Sequence, residues 1–304
     1  MLLKNLVVFR LPVNADMDAD KVEQALSRQP LLPCSGLQME SRGWVCPHED
    51  GIFLYAQNRQ WLVSLGVEQK LLPASIIRQV AAERAEDLAR KQGHPVGRKQ
   101  MRDLRDQVTD ELLPRALSRR RTTLAWMDTV NGWLVVNAAG DARSDEFLES
   151  FRRAELGASP RTLETQRSPA SAMADWLARG EAPRGFTVDR DLEMRASDAS
   201  KATVRYSNHP LDGKEIRDHL SSGKTVVKMG LTWNSRISFV LTEQLQLKRV
   251  TFLDVLESEG GGEDQDEQER FEVDFALMTG ELARLLSDLV KVLGGELDRS
   301  NGLA

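Results

Sequence analysis

Arginine side chains crowd the middle of the sequence in a pattern suited to phosphate binding. Arg119, Arg120 and Arg121 are consecutive and precede two threonines, and the planar guanidinium fork matches the oxygens of a phosphate group. Across residues 70–121 the sequence has 13 Lys and Arg against 7 Asp and Glu. This segment predicts a surface that binds a polyanion, although nuclear-localisation signals and plain charged runs share its composition.

A helix expected over residues 98–113 sorts its charged side chains by face. With about 100° between successive residues, the apolar, basic and acidic side chains fall on three separate stripes along the helix. The apolar stripe is Met101, Leu104 and Val108, the basic stripe is Arg98, Arg102 and Arg105, and the acidic stripe is Asp103, Asp106 and Asp110. Like charges that share one helix face repel each other. The pattern favours a polyanion-binding face over the alternative, an ordinary solvated helix surface.

No motif in the sequence indicates catalysis or a resident cofactor. Gly223-Lys224-Thr225 resembles the end of a phosphate-binding loop, but Asp218 stands where that loop needs its first glycine. The two cysteines and four histidines lack the spacing of zinc ligands. A metal-dependent nuclease built on dispersed carboxylates such as Asp128 and Asp141 stays open, although nothing in the sequence places them together. We expect no enzymatic activity, no cofactor and no metal site.

The C-terminal third carries the opposite charge to the arginine-rich segment. Residues 243–298 contain 15 Asp and Glu against 5 Lys and Arg. The acid-rich stretch Glu257–Glu269 lacks the spacing of an EF-hand, so we interpret it as a mobile, solvated loop. Because like charges repel, we expect this third of the chain to face away from a bound polyanion.

Length and composition predict a folded protein of about two domains. The chain has 304 residues, of which 41% are hydrophobic and 29% charged, and a net charge of −5. Two cysteines are too few for a disulfide scaffold. No apolar run reaches the roughly 18 residues that a membrane span needs, and the N-terminal residues lack the features of a signal peptide. We therefore expect a soluble, cytoplasmic protein without membrane contact.

Hydrophobic periodicity predicts an α+β fold with mixed or antiparallel sheets and packed helices. A Gly/Pro-rich turn at 93–97 between two helices predicts a protruding helical hairpin. The strands are expected at 6–9, 44–46, 52–55, 60–65, 124–127, 133–136, 202–206, 225–232, 237–241, 247–251 and 270–276. The helices are expected at 16–26, 73–92, 98–113, 144–156, 172–179 and 280–293, the last with Thr279 as its N-cap.

Six segments of the sequence resemble the family of the bacterial recombination-associated protein RdgC, and they occur in the same order as in that family. They are Leu3–Leu11, Lys70–Arg78, Leu113–Arg119, Trp126–Gly132, Gly223–Met229 and Phe271–Leu282. The most specific of them are the segment that ends in Asp-Thr-Val-Asn-Gly and the last one. Together they extend over essentially the whole chain.

The resemblance implies a non-enzymatic DNA-binding protein with little sequence preference that restrains RecA-promoted recombination and associates with the nucleoid. It also implies a homodimer closed head to head and tail to tail into a ring, with double-stranded DNA through a basic hole. Single-stranded DNA is a further expected ligand. Each subunit is then expected to have a central α+β body (1–72 and 123–170), a helical tip (73–122) and an α+β base (171–304).

The DNA contacts predicted from charge and resemblance lie in the tip, at its junction with the body, and in one loop of the base. They are Arg98, Lys99, Arg102, Arg105, Arg115, Arg119, Arg120, Arg121, Asn208 and His209. The family stretch that corresponds to the last two can be richer in lysine, so their contribution is expected to be smaller. Leu117 is predicted to be a dimer contact, because a single Leu among polar neighbours just after Pro114 cannot join a large core. Members of the family can have an aromatic residue there.

A protein–protein adaptor is the alternative function. In that case the acidic C-terminal third binds a basic partner and the basic hairpin only dimerises. Salt-dependent binding to DNA distinguishes the two functions.

Overall fold

A single antiparallel sheet organises the described part of the chain. The computed structural model describes residues 3–12, 17–48, 51–253 and 267–297. Its twelve described strands are β1 Leu6–Arg10, β2 Glu40–Val45, β3 Leu54–Gln57, β4 Gln60–Lys70, β5 Ser118–Asp128, β6 Trp133–Asn137, β7 Arg161–Thr162, β8 Phe186–Ala196, β9 Thr203–Tyr206, β10 Lys224–Trp233, β11 Ile237–Thr242 and β12 Leu247–Phe252. They pair in the order β2-β4-β5-β6-β1-β12-β11-β10-β8-β9, with β3 beside β4 and β7 beside β1.

Seven helices accompany the sheet within the described residues, so the predicted α+β class is confirmed. They are α1 Ala19–Ser27, α2 Ala74–Gln92, α3 Arg98–Leu112, α4 Asp141–Arg153, α5 Pro169–Arg179, α6 Lys214–Ser221 and α7 Glu267–Val292. Asp18 caps the start of α1 by accepting hydrogen bonds from the backbone N–H groups of Asp20 and Lys21. Gly93, in the left-handed region at φ 76°, ends α2.

The central strands bury side chains on both faces of the sheet. On β1, Val7 and Phe9 belong to an apolar cluster with residues of α1 and α4, whereas Leu6 and Val8 belong to a second cluster with residues of α5 and α7. Successive side chains of a strand point to opposite faces, which is why one strand supplies both cores. We call the two sides of the sheet the α4 face and the α7 face.

The strands β8 to β12 are apolar on the α7 face and mainly polar on the α4 face. Leu192, Met229 and Leu241 are buried in the cluster that includes α5 and α7 residues. The polar residues Lys228 and Lys248 alternate with the buried positions of β10 and β12. Such alternation is typical of an antiparallel sheet that packs on one face only.

The last helix corrects the sequence-based prediction. A strand at 270–276 and an N-cap at Thr279 are both wrong, because α7 is continuous over 26 residues. Within it the Thr279 hydroxyl donates to the carbonyl of Phe275, one turn earlier. Phe271 and Phe275 alternate with polar residues as a strand would, but both rings pack on Tyr55, a contact that only the fold provides. Residues 257–266 of the predicted loop Glu257–Glu269 lie outside the described residues, and the last three residues of that loop begin α7.

Three further elements were not predicted from the sequence, and the first of them, β7, consists of only two residues. β8 carries charges at Asp189, Arg190 and Asp191, which hide its period of two, and α6 has only one buried residue, Ile216. In addition, β5 begins six residues before its predicted start at 124, so it includes the arginine run.

The helices α2 and α3 follow each other and pack together. Ala81 and Ala85 of α2 and Val108 of α3 are buried, and the small alanine side chains allow a close approach of the two helices. Arg84 and Glu111 join the helices by two hydrogen bonds of 2.9 and 2.6 Å. This pairing fixes which face of α3 is turned away from α2.

Candidate nucleic-acid interface

The basic stripe of α3 is exposed to solvent. Arg98, Arg102 and Arg105 are exposed, as is the neighbouring Lys99. Within the described ranges, none of these four side chains has a carboxylate at ion-pair distance, unlike Arg84 of the facing helix. Their N–H donors therefore remain for a ligand.

The turn after α3 presents two further predicted contacts. Leu113 is buried at the start of a single 3₁₀ turn, Leu113–Arg115, and Arg115 is exposed. The Leu117 side chain is 78% exposed, while its carbonyl accepts a 2.7 Å hydrogen bond from the N–H of Leu71. Leu117 is therefore not part of the core of a single chain, and its role as a dimer contact stays a prediction.

The arginine run is divided by the strand on which it lies. Arg119, Arg120 and Arg121 pair with Gln69, Glu68 and Val67 of β4 in antiparallel register. Alternate residues of a strand point to opposite faces, so Arg119 and Arg121 lie on the α4 face and Arg120 on the α7 face. One phosphate group cannot be held by all three.

Two of the three arginines are already bound to carboxylates. Arg121 donates two hydrogen bonds of 2.6 and 2.7 Å to Glu146 of α4. Arg120 is bonded to Glu68, which is buried and also accepts from the backbone N–H of Cys34 at 3.0 Å. Arg119 is exposed and has no ion pair among the described residues. It is the member of the run best suited to contact phosphate.

The Glu68 carboxylate has a lowered pKa. The hydrogen bond from Arg120 is the largest cause, and the one from the Cys34 backbone adds to it. A carboxylate whose pKa is lowered by folding stabilises the fold above its ordinary pKa, and this contribution disappears as the pH falls through the lowered value.

Replacing Glu68 by Gln should therefore lower the free energy of unfolding at pH 7 and matter less as the solution becomes more acidic. Urea unfolding of wild type and variant from pH 7 down to pH 3 measures this difference. Glu181→Gln is the matched control, because Glu181 is exposed and has no ion pair within the described residues. A gap between wild type and Glu68→Gln that stays constant with pH would contradict the assignment.

The predicted loop contacts in the base lie in a turn after β9. Asn208 adopts a left-handed φ of 52°, and its N–H donates to Asp191 on β8 at 3.1 Å. The backbone N–H of His209 donates a 3.0 Å hydrogen bond to the carbonyl of Arg190. Both side chains are exposed just after β9, which is an edge strand of the sheet.

A second group of cations, on β9, β10 and β12, was not predicted from the sequence. Arg205, Lys228 and Lys248 lie on every second strand at one end of the sheet, with β8 between β9 and β10 and β11 between β10 and β12. Up to 43 residues separate them in the sequence. Their signal in the sequence is a cation alternating with apolar residues along each strand. That signal identifies a solvated face but does not say which strands share it.

The two carboxylates considered for a nuclease have structural partners. Asp128 is buried and accepts hydrogen bonds from the N–H groups of Val130 and Asn131 at 2.9 and 2.8 Å, so it shapes the β5–β6 turn. Asp141, the first residue of α4, accepts one from Gln246. In the described residues, no three His, Cys, Asp or Glu side chains come together as a metal site. Nor does any helix in those ranges have the length and apolar character to cross a membrane.

Comparison with known proteins gives a consistent result. A family model described as "Putative exonuclease, RdgC" matches residues 1–296. A recombination-associated protein RdgC from Dechloromonas aromatica is 49% identical over 301 residues, which is 98% of this chain and 99% of the relative. Proteins of the same name from Janthinobacterium sp. and Burkholderia cenocepacia are 45% and 47% identical, over 98% and 97% of this chain and 100% and 96% of their own lengths.

Proposed function

The chain belongs to the RdgC family of recombination-associated proteins, and from this we propose that it binds DNA without sequence preference and restrains RecA-promoted recombination. In this proposal the protein acts by occupying DNA and catalyses no reaction. A protein that covers duplex DNA withholds it from a recombinase, whether or not the two proteins touch. Nucleoid association follows from the same binding.

The exposed stripe of α3 is the observation that carries this proposal. Arg98, Arg102 and Arg105 point from one helix face and have no carboxylate partner among the described residues. Arginine contacts to phosphate position a protein on DNA but carry no sequence information. A surface of this kind accounts for binding that tolerates any sequence.

We further propose that two subunits close into a ring around the duplex. The tip (73–122) supplies one contact through Leu117, whose apolar side chain is exposed in the single chain. The base (171–304) supplies the second contact. The body (1–72 and 123–170) joins the two, and the acidic residues of the C-terminal third face away from the phosphates.

Titration of the protein against labelled duplexes of unrelated sequence tests the proposed function. We expect equal affinities for the duplexes and a slope of log K against log salt of about −0.9 for each phosphate contacted. Addition of the protein to a RecA strand-exchange reaction should slow the exchange. In parallel, end-labelled DNA incubated with the protein and Mg²⁺ should keep its full length.

Each contrary outcome identifies a different function. Shortening of the labelled DNA would show an exonuclease, as the description of the family model suggests. Binding to a basic protein but not to DNA would favour the adaptor function of the acidic C-terminal third. A strong preference for one duplex would exclude binding through phosphate contacts alone.

A further inference from the structure

A groove on the α4 face of the sheet collects the cations of β9, β10 and β12. It has a volume of about 380 Å³ and is lined by Lys228, Lys248, Arg205, Arg249, Asp191 and Glu193, with Val240 and Tyr206 among its other lining residues. Four cations therefore face two carboxylates. The groove has a positive charge although the chain as a whole is acidic.

The two carboxylates of the groove are engaged by its own cations. Glu193 is buried and bonded to Arg205 at 2.7 Å and Lys228 at 3.1 Å. Asp191 is bonded to Arg249 at 2.7 Å. Both acids orient cationic side chains, and two positive charges remain without compensation.

Lys248 is the cation that most lacks a partner. Its ammonium donates to the backbone carbonyl of Ala139 at 2.9 Å, and no carboxylate within the described ranges lies at ion-pair distance from it. Burial lowers its pKa, and the charge of Lys228 acts in the same direction, while Asp141 opposes both. An anion in the groove would supply the missing countercharge.

The groove lies on the same face of the sheet as Arg119. Leu6 of β1 pairs with Leu247 of β12, and both are buried on the α7 face. Their neighbours along the strands, including Lys248, therefore lie on the α4 face. The groove also adjoins the turn after β9, because Asp191 accepts the N–H of Asn208.

We propose that this groove is a second DNA contact, in which Lys228, Lys248 and Arg249 bind the phosphodiester backbone. The inference rests on the proposed DNA binding, and it adds these three side chains to the predicted contacts on α3 and at Asn208 and His209. The carboxylate of Glu193 competes with the phosphate for Lys228 and Arg205, so it limits the affinity of the groove.

Two substitutions in opposite directions test the groove. Lys228→Gln with Lys248→Gln should weaken duplex binding by up to about 60-fold at 0.1 M salt and make the salt slope shallower by up to about 1.8. Glu193→Gln should instead strengthen binding and steepen the slope, because it frees two cations while keeping a hydrogen-bond acceptor. A merely structural role of these residues would not produce opposite changes in affinity.

The matched control is Lys224→Gln on the same strand. The register of β10 shifts between Val226 and Lys228, so Lys224 lies on the α7 face together with the buried Val226. Its ammonium is 3.1 Å from the ring of His219 on α6, and this variant should bind DNA as the wild type does. Urea unfolding of all variants checks that the fold is retained. If the wild type binds DNA and none of the groove variants changes its affinity, the proposed contact at the groove is overturned and the proposed function still stands. Wild-type protein that binds no DNA at all would overturn both.

Discussion

Replacing Arg98, Arg102 and Arg105 together by Gln should weaken duplex binding by up to about 500-fold at 0.1 M salt. Each phosphate contact contributes about −0.9 to the slope of log K against log salt, which corresponds to about eightfold in affinity at that concentration. The loss should be the same for unrelated sequences, and the slope should become shallower by up to about 2.7. The three side chains are exposed on α3, and Gln is nearly as good a helix former as Arg, so the fold should be unaffected.

A variant of equal net charge separates these contacts from a general loss of positive charge. Arg28, Arg59 and Arg184 are exposed, lie outside α3, and have no ion pair among the described residues. Replacing all three by Gln should change affinity far less than the α3 variant does. Equal losses in the two variants would show that only the total charge matters. A loss confined to one DNA sequence would mean that α3 reads bases.

The choice of α3 for this test depends on the structure. Arg119 and Arg120 are the more obvious targets in the sequence, but Arg120 is bonded to the buried Glu68. Removing Arg120 would leave a buried carboxylate without its partner, which destabilises a protein independently of any ligand. A weaker DNA affinity of such a variant would therefore be ambiguous.

Local patterns of the sequence were sufficient for α3 and insufficient for the arginine run. The stripes of α3 follow from helical periodicity within 13 residues, and the burial of Val108 against α2 agrees with the predicted apolar stripe. The partner of Arg120 lies 52 residues earlier and that of Arg121 lies 25 residues later. Which carboxylate meets which arginine is decided by strand register and by the position of α4, which no local window contains.

The same limit explains the groove and the end of the chain. Arg205, Lys228 and Lys248 come together because β8 to β12 pair in one sheet, and β8 itself was missed. Phe271 and Phe275 fit a strand and a helix equally well as a local pattern. In the fold both residues lie on the helix α7, and their rings pack on Tyr55, which is more than 200 residues earlier in the sequence.

A ring that closes around DNA should remain on covalently closed circles under salt conditions that release it from cut ones. High salt weakens every phosphate contact, so enclosure becomes the main cause of retention, and a free end allows the ring to slide off. Complexes formed at low salt on closed circles, and on the same circles cut once, are challenged with high salt. We expect the protein to persist on the closed circles only.

Leu117→Asp should abolish this difference while the subunits stay folded. The Leu117 side chain is 78% exposed in the single chain, so a charge there should cost little within the subunit but should disrupt the proposed apolar contact between two tips. The variant should leave closed and cut circles at the same rate, with an unchanged circular dichroism spectrum and melting temperature. Loss of the folded state would instead show that Leu117 belongs to the core.

Val130→Asp is the matched control for the ring. Leu117 comes just before β5 and Val130 just after it, so the two residues lie at opposite ends of one strand. Val130 is also exposed, at 50%, and the same substitution there should leave retention on closed circles intact. Equal release of wild type from closed and cut circles would contradict enclosure and indicate an open clamp. If Val130→Asp also abolished retention on closed circles, Leu117 would have no special role in closure of the ring.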